Sequence, residues 1–230
     1  MHRHPIIRLS LVAAFLALAS SVVLAAAYQP AEPASDVVAT PPTVESSLPA
    51  QENEETADPA PTSTSPLSLP MADAHARVTK KTFGLAVSPE TSPVPNDRFT
   101  GYHVGVDFEV SEEEQGVDVP VWAVCDGPLL RKGFARGYGG YALQACEIDG
   151  EPATIVYGHL DEKSITHAIS NTLVRGETVG LLGEGHSPET DGVRKHLHLG
   201  IHRGTDIDIR GYVRTADEIN AWLDPLALMP

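Results

Sequence analysis

The 230-residue chain predicts a mostly β fold: an antiparallel β-sheet or sandwich with one or two short helices, preceded by a disordered linker. Three observations carry this expectation. Apolar runs of strand length recur between glycines from about Val78 onward, among them "HVGVDFEV", "VPVWAVCDG", "YALQACEI", "ATIVYGHL", "TVGLLGEG", "HLHLGIHR" and "TDIDIRGYV". Several of these alternate apolar and polar residues with a period of two, the pattern of a half-buried strand. Helix signals, by contrast, are scarce.

Taken in order, residues 1–27 form a secretory signal. Arg3 and Arg8 make a positive start, residues 9–24 an apolar run, and Ala25 to Ala27 an A-x-A cleavage site. The rival is an uncleaved membrane anchor, since residues 9–27 reach the lower limit of a spanning helix. No cysteine stands directly after the apolar run, so a lipoprotein anchor is not expected. Residues 28–75 are rich in Pro, Ser, Thr, Ala and Glu, with almost no aromatics. Such a stretch cannot bury enough apolar surface to fold and reads as an extended tether. Residues 76–230 are the folded domain, of ordinary domain size.

Within that domain one helix is well signalled. Thr215 and Glu218 form a capping box before "INAWL", and Asp224–Pro225 stops it. A second short helix is expected over residues 164–169. Cys125 and Cys146 flank the turn-rich "GFARGYGG", so pairing about its centre brings them nearly opposite each other. In an oxidising compartment that predicts a Cys125–Cys146 disulfide; the alternative is two separate buried thiols. Neither belongs to a close cysteine pair, so neither is a good zinc ligand. The formal net charge of −15 argues against binding a phosphate backbone, so no nucleic-acid partner is expected. Membrane contact is expected only through an uncleaved N-terminal segment.

Three stretches carry chemistry. In "RKHLHLGIHRG", Leu197, Leu199 and Ile201 share one parity, and His196, His198 and His202 the other. The plain reading is a polar solvent face. The sharper one is a ligand row, because histidine is the commonest metal ligand and residues two apart on a strand point the same way. In "GYHVGVDFEV", His103, Gly105, Asp107 and Glu109 share a face opposite Val104, Val106, Phe108 and Val110. A strand with His103 and Asp107 on one side offers a nitrogen and a carboxylate, a mixture zinc accepts. One more nitrogen completes a three-ligand site and leaves a fourth position open, as catalytic zinc requires. In "TIVYGHLDE", Tyr157 and His159 share a parity at the end of an apolar strand; alone, His159 reads as a surface histidine.

In this order the three motifs resemble the lysostaphin/LytM-type zinc metallopeptidases, which cut peptide cross-links of bacterial cell walls. The matching residues are "HVGVD" at 103–107, "YGHL" at 157–160 and "HLHLGI" at 196–201, with supporting likeness in "VPVWAVCDGPL", "GYGGYALQ" and "RGETVGLLGEG". The resemblance spans residues 83–201. It implies a zinc metallopeptidase domain over 76–230, with zinc held by His103, Asp107 and His198. His159 and His196 stay off the metal as catalytic histidines, without a division of roles. It further implies a zinc-dependent endopeptidase acting on peptidoglycan peptides, located outside the cell, in the periplasm or at the envelope. Two alternatives stand beside it: a non-catalytic wall-binding or regulatory module on the same fold, and a secreted zinc peptidase acting on proteins. One departure bears on specificity. Many relatives carry a small Thr/Gly/Pro-rich turn before the last motif, where this chain has the charged "DGVRK". His202 has no counterpart in the motif and reads as a surface residue or a neighbour of the site. The "SEEEQG" stretch reads as a solvated acidic loop. Asp206 and Asp208, alternating with Ile207 and Ile209, read as an amphipathic strand rather than a metal site.

Overall fold

A computed structural model of the chain describes residues 65–230. The predicted signal segment and most of the predicted linker lie outside these residues. No helix among them is long and apolar enough to cross a membrane. One short helix, α1 (Ala74–Arg77), is followed by twelve strands: β1 (Ala86–Val87), β2 (Gly101–His103), β3 (Gly105–Glu109), β4 (Pro120–Trp122), β5 (Gly127–Ala135), β6 (Gly139–Ile148), β7 (Glu151–Leu160), β8 (Thr172–Leu173), β9 (Thr178–Leu181), β10 (His196–Arg203), β11 (Tyr212–Val213) and β12 (Trp222–Leu223). The fold is mostly β, as expected, and the strand pairings are antiparallel.

The largest sheet runs β12-β10-β7-β6-β5-β8, with β3 also pairing with β10. Its central hairpin, β6–β7, closes through Asp149–Gly150, both at positive φ (53° and 82°). An Asp-Gly pair suits a two-residue hairpin turn because both positions need a left-handed backbone. The sheet is covered on both faces. Val106, Phe108, Leu129, Ile155, Tyr157, Leu197, Leu199 and Ile201 enter the main core. On the other side Val104, Tyr138, Leu143, Val156, Val213 and Trp222 form a second one. The histidine face of β10 is therefore interior rather than a solvent face: His196, His198 and His202 are 2%, 3% and 8% exposed.

Several expectations are corrected by packing. Leu67, Met71 and Ala74 fall in the segment assigned to the linker, yet all are buried in the main core. The helix expected after the Thr215–Glu218 capping box is instead a 3₁₀ turn, Asp217–Ala221, followed by β12. Glu218 does accept the backbone N–H groups of Arg214 and Thr215, as the capping box required. But Trp222 is drawn to the sheet edge opposite His202 and is 2% exposed. A five-residue turn has too little of its own stability to resist that burial. Asp224–Pro225 does not simply stop the chain; Asp224 caps a further 3₁₀ turn, Pro225–Leu228. The helix expected at 164–169 shrinks to a 3₁₀ turn at Glu162–Ser164. Residues 205–210 are not a strand; the Asp208 carboxylate accepts from the Arg210 backbone and guanidinium and holds a local loop. The Cys125–Cys146 disulfide is present, with Cα atoms 6.1 Å apart, although Cys125 lies just ahead of β5.

Candidate active site

Register brings the site together. On β10, His198 stands opposite Asp107 of β3 on one side and Gly158 of β7 on the other. His103 arrives differently. On a straight strand, residues four apart lie about 13 Å from each other, too far to share one ion. The chain escapes this by breaking between β2 and β3 at Val104, whose N–H bonds the Gly211 carbonyl and whose side chain joins the second core. That bend folds His103 back over Asp107.

His103 Nε2, Asp107 Oδ1 and His198 Nδ1 then form a nearly equilateral triangle with edges of 3.0, 3.1 and 3.1 Å. These three residues form a buried group able to hold a metal ion. His103 Nδ1–H donates to the Thr82 carbonyl (3.1 Å), which leaves Nε2 free to act as a ligand. His198 Nε2 is buried and has no partner among the described residues. Glycine makes the room. A Cβ at Gly105 would lie 2.6 Å from His198 Cε1, and one at Gly158 would lie 2.4 Å from the Tyr138 ring.

His159 reaches this face by breaking its own parity. Tyr157, which shares its parity in sequence, is wholly in the main core, its hydroxyl bonded to the Val124 N–H and Gln144. Between β6 and β7 the register shifts: Tyr141 pairs with Gly158, and Gly140 with Leu160. His159 is the extra residue of a bulge and takes φ 63°. Bulges of this kind re-aim a side chain. Its Nδ1–H donates to the Tyr138 carbonyl (2.8 Å), and its ring lies 4.2 Å from that of His196. His196 Nδ1 faces the Arg194 carbonyl at 2.9 Å, and Nε2 lies 3.3 Å from Asp107 Oδ2.

These groups surround a cleft of about 330 Å³, walled by Phe99, Tyr138, Ile209 and Tyr212. Burial lowers His159 well below an ordinary imidazole, and the neighbouring His196 pushes it the same way. Burial also pushes His198 down to about 4, against its bond to Asp107. Asp107 goes the other way. Burial raises it, but the facing His103 and His196 outweigh that and hold it well below the usual carboxylate range.

Of the five residues named from the motifs, Asp107, His159, His196 and His198 line this cleft, and His103 is buried against Asp107 and His198. Other members were missed. Arg194 Nη2 bonds Asp107 Oδ2 at 2.8 Å, and its Nε and Nη2 grip Glu109. Parity could have found this pair, because Arg194 continues the His196/His198 row and Glu109 the His103/Asp107 row. Lys81, Tyr138 and Tyr212 have no such signal. Lys81 is 1% exposed, pairs with Asp97 (2.5 Å) and bonds the Tyr212 hydroxyl. The Tyr212 ring lies 5.1 Å from those of both Phe99 and His103.

Residues 101–209 match Peptidase family M23. No curated protein matches the chain in sequence. Among solved structures the chain is similar to LytU (22% identity over 65% of this chain and 81% of that one, TM-score 0.44). It is similar also to CbpA from L. salivarius REN (24%, 64% and 82%, TM-score 0.40). A third is a zinc-containing peptidase from Vibrio cholerae (22%, 58% and 35%, TM-score 0.37). Residues 101–209 thus carry the likeness to peptidase family M23, in line with the LytM-type resemblance of the motifs they contain.

Proposed function

We propose that this chain is a zinc-dependent endopeptidase that hydrolyses peptide cross-links of peptidoglycan outside the cytoplasm, at the cell envelope. One observation carries the reading: two nitrogens and one carboxylate oxygen converge at 3.0–3.1 Å, beside two further imidazoles that open on the same cleft. Donors at that spacing suit one ion with bonds of about 2.0–2.2 Å, and two histidines with a carboxylate are a zinc set. His103, Asp107 and His198 would hold it. Bound there, zinc would supply Lewis acidity, polarising the scissile carbonyl and lowering the pKa of a water toward neutrality.

The remaining roles follow from hydrogen bonding. The His159 Nδ1–H is committed to the Tyr138 carbonyl, so Nε2 carries the lone pair. Burial keeps that ring neutral near pH 7, a state that accepts a proton from the attacking water and passes it to the leaving amine. His196 sits between two acceptors, the Arg194 carbonyl and Asp107 Oδ2, a donor's position. It steadies the oxygen that gains charge as the carbonyl is attacked. The presence of both off-metal histidines supports this over a non-catalytic wall-binding module.

The test uses the purified chain loaded with zinc on isolated cell walls, with products identified by mass spectrometry. About one zinc per chain, wall clearing and its loss with chelator are expected. His159→Ala should keep zinc and lower cleavage by about 10²–10⁴-fold. Zinc bound with intact walls but cleaved casein would favour a peptidase acting on proteins. Unaltered cleavage by His159→Ala would refute the role given to His159.

A further inference from the structure

Four cations line the cleft: Lys81, Arg136, Arg194 and Arg210. Three are committed to acids of this chain. Lys81 pairs with Asp97, Arg194 with Asp107 and Glu109, and Arg210 with Asp208 and Glu218. Arg136 is exposed and has no hydrogen-bond or ion-pair partner among the described residues. In a chain of net charge −15, with acids outnumbering bases 31 to 16, an unengaged arginine at this position is conspicuous.

Its mounting is rigid although its side chain is free. Arg136 lies in the three-residue turn between β5 and β6. The next residue, Gly137, donates its N–H to Asp191 Oδ2 at 2.8 Å, and Asp191 is itself gripped by Arg98. The Tyr138 N–H closes the turn on the Ala135 carbonyl at 3.0 Å. The Tyr138 carbonyl takes the His159 ring proton. The backbone that carries Arg136 is thereby tied to the histidine that opens on the cleft. A guanidinium left in water loses little; one that meets a carboxylate beside apolar walls gains a two-pronged, charge-assisted bond. Among the cations that line the cleft, Arg136 alone is left to meet such a group.

We infer that Arg136 is the subsite for a substrate carboxylate, so that the cleft takes cross-link peptides with a free carboxylate next to the scissile bond in preference to uncharged ones. This rests on the peptidase reading above and narrows its substrate. It favours a direct cross-link through a diamino acid bearing a free carboxyl over a run of glycines.

The experiment uses three fluorescent peptides: a D-alanyl cross-link to a diamino acid with a free carboxylate, the same peptide with a carboxamide there, and pentaglycine. Affinity is measured by anisotropy on the zinc-loaded full chain carrying His159→Ala, and kcat/KM on the chain without that change. The carboxylate peptide should bind at least tenfold tighter than the other two. Adding Arg136→Ala should weaken that peptide alone and erase the preference, while Arg136→Lys keeps part of it. Equal binding of the peptides, no binding of any, a preference for either neutral peptide, or a preference that survives Arg136→Ala would each overturn the inference. Absence of cleavage of all three would instead overturn the peptidase reading, with the affinities still deciding the role of Arg136.

Discussion

Replacing Arg194 by Met removes a cation while keeping most of its apolar stem. Two carboxylates then lose a cationic partner: Asp107, whose side chain is 2% exposed, and Glu109, 11% exposed, for which Arg194 is the principal one. Breaking a buried pair from one side costs about 3–5 kcal/mol because a desolvated charge is stranded. Lys80 remains on Glu109 at 3.1 Å, and Arg194 is itself 15% exposed, which places the loss near the lower end, about 3 kcal/mol. For a domain of this size each kcal/mol moves Tm by about 2–4 °C, so the metal-free protein should melt about 6–12 °C lower. Zinc gives Asp107 a second cation, and the drop should shrink in the zinc-loaded protein. Adding Glu109→Gln should recover part of it by removing one stranded charge. Thermal unfolding followed by circular dichroism, with chelator and with zinc, measures each quantity. A shift under about 2 °C in chelator, or a double variant no more stable than Arg194→Met, would refute the account of Arg194 as the partner of both acids.

Further outcomes follow from the same geometry. In metal-free protein His198 titrates at about 4, against about 6.5 in the unfolded chain, so the unfolded state binds more protons between these values. Stability should fall by the order of 3 kcal/mol as pH drops from about 6.5 to 4; a flat Tm across that window in chelator would contradict the burial of His198. His159 adds in the same direction, and below that range the depressed Asp107 begins to lose its stabilisation as well. Gly105→Ala would put a methyl 2.6 Å from His198 Cε1 and from the Leu199 carbonyl oxygen, so zinc affinity should drop at least tenfold in a competition titration. Cys125→Ser with Cys146→Ser opens a loop of 21 residues and should cost about 3 kcal/mol in denaturant unfolding, with m raised because the unfolded chain expands.

The sequence alone determined the strand character of the domain, offered the Cys125–Cys146 disulfide beside two separate thiols, and named His103, Asp107, His159, His196 and His198 only through the family resemblance of its motifs. Period-two alternation is a local property, legible without knowing what lies opposite. Parity failed where the chain leaves regular geometry. The break at Val104 brings His103 onto Asp107, and the bulge at His159 turns it away from Tyr157 toward His196. Only the tertiary structure decided those turns, because a bend or a bulge is stabilised by partners from distant segments, here the Gly211 and Tyr138 carbonyls. The same holds for the grip of Arg194 on two acids of β3, for Trp222 at the sheet edge and for the free guanidinium of Arg136. Each depends on which charges and apolar surfaces other segments bring near, and that spatial pairing is set by register across the sheet rather than by neighbours along the chain.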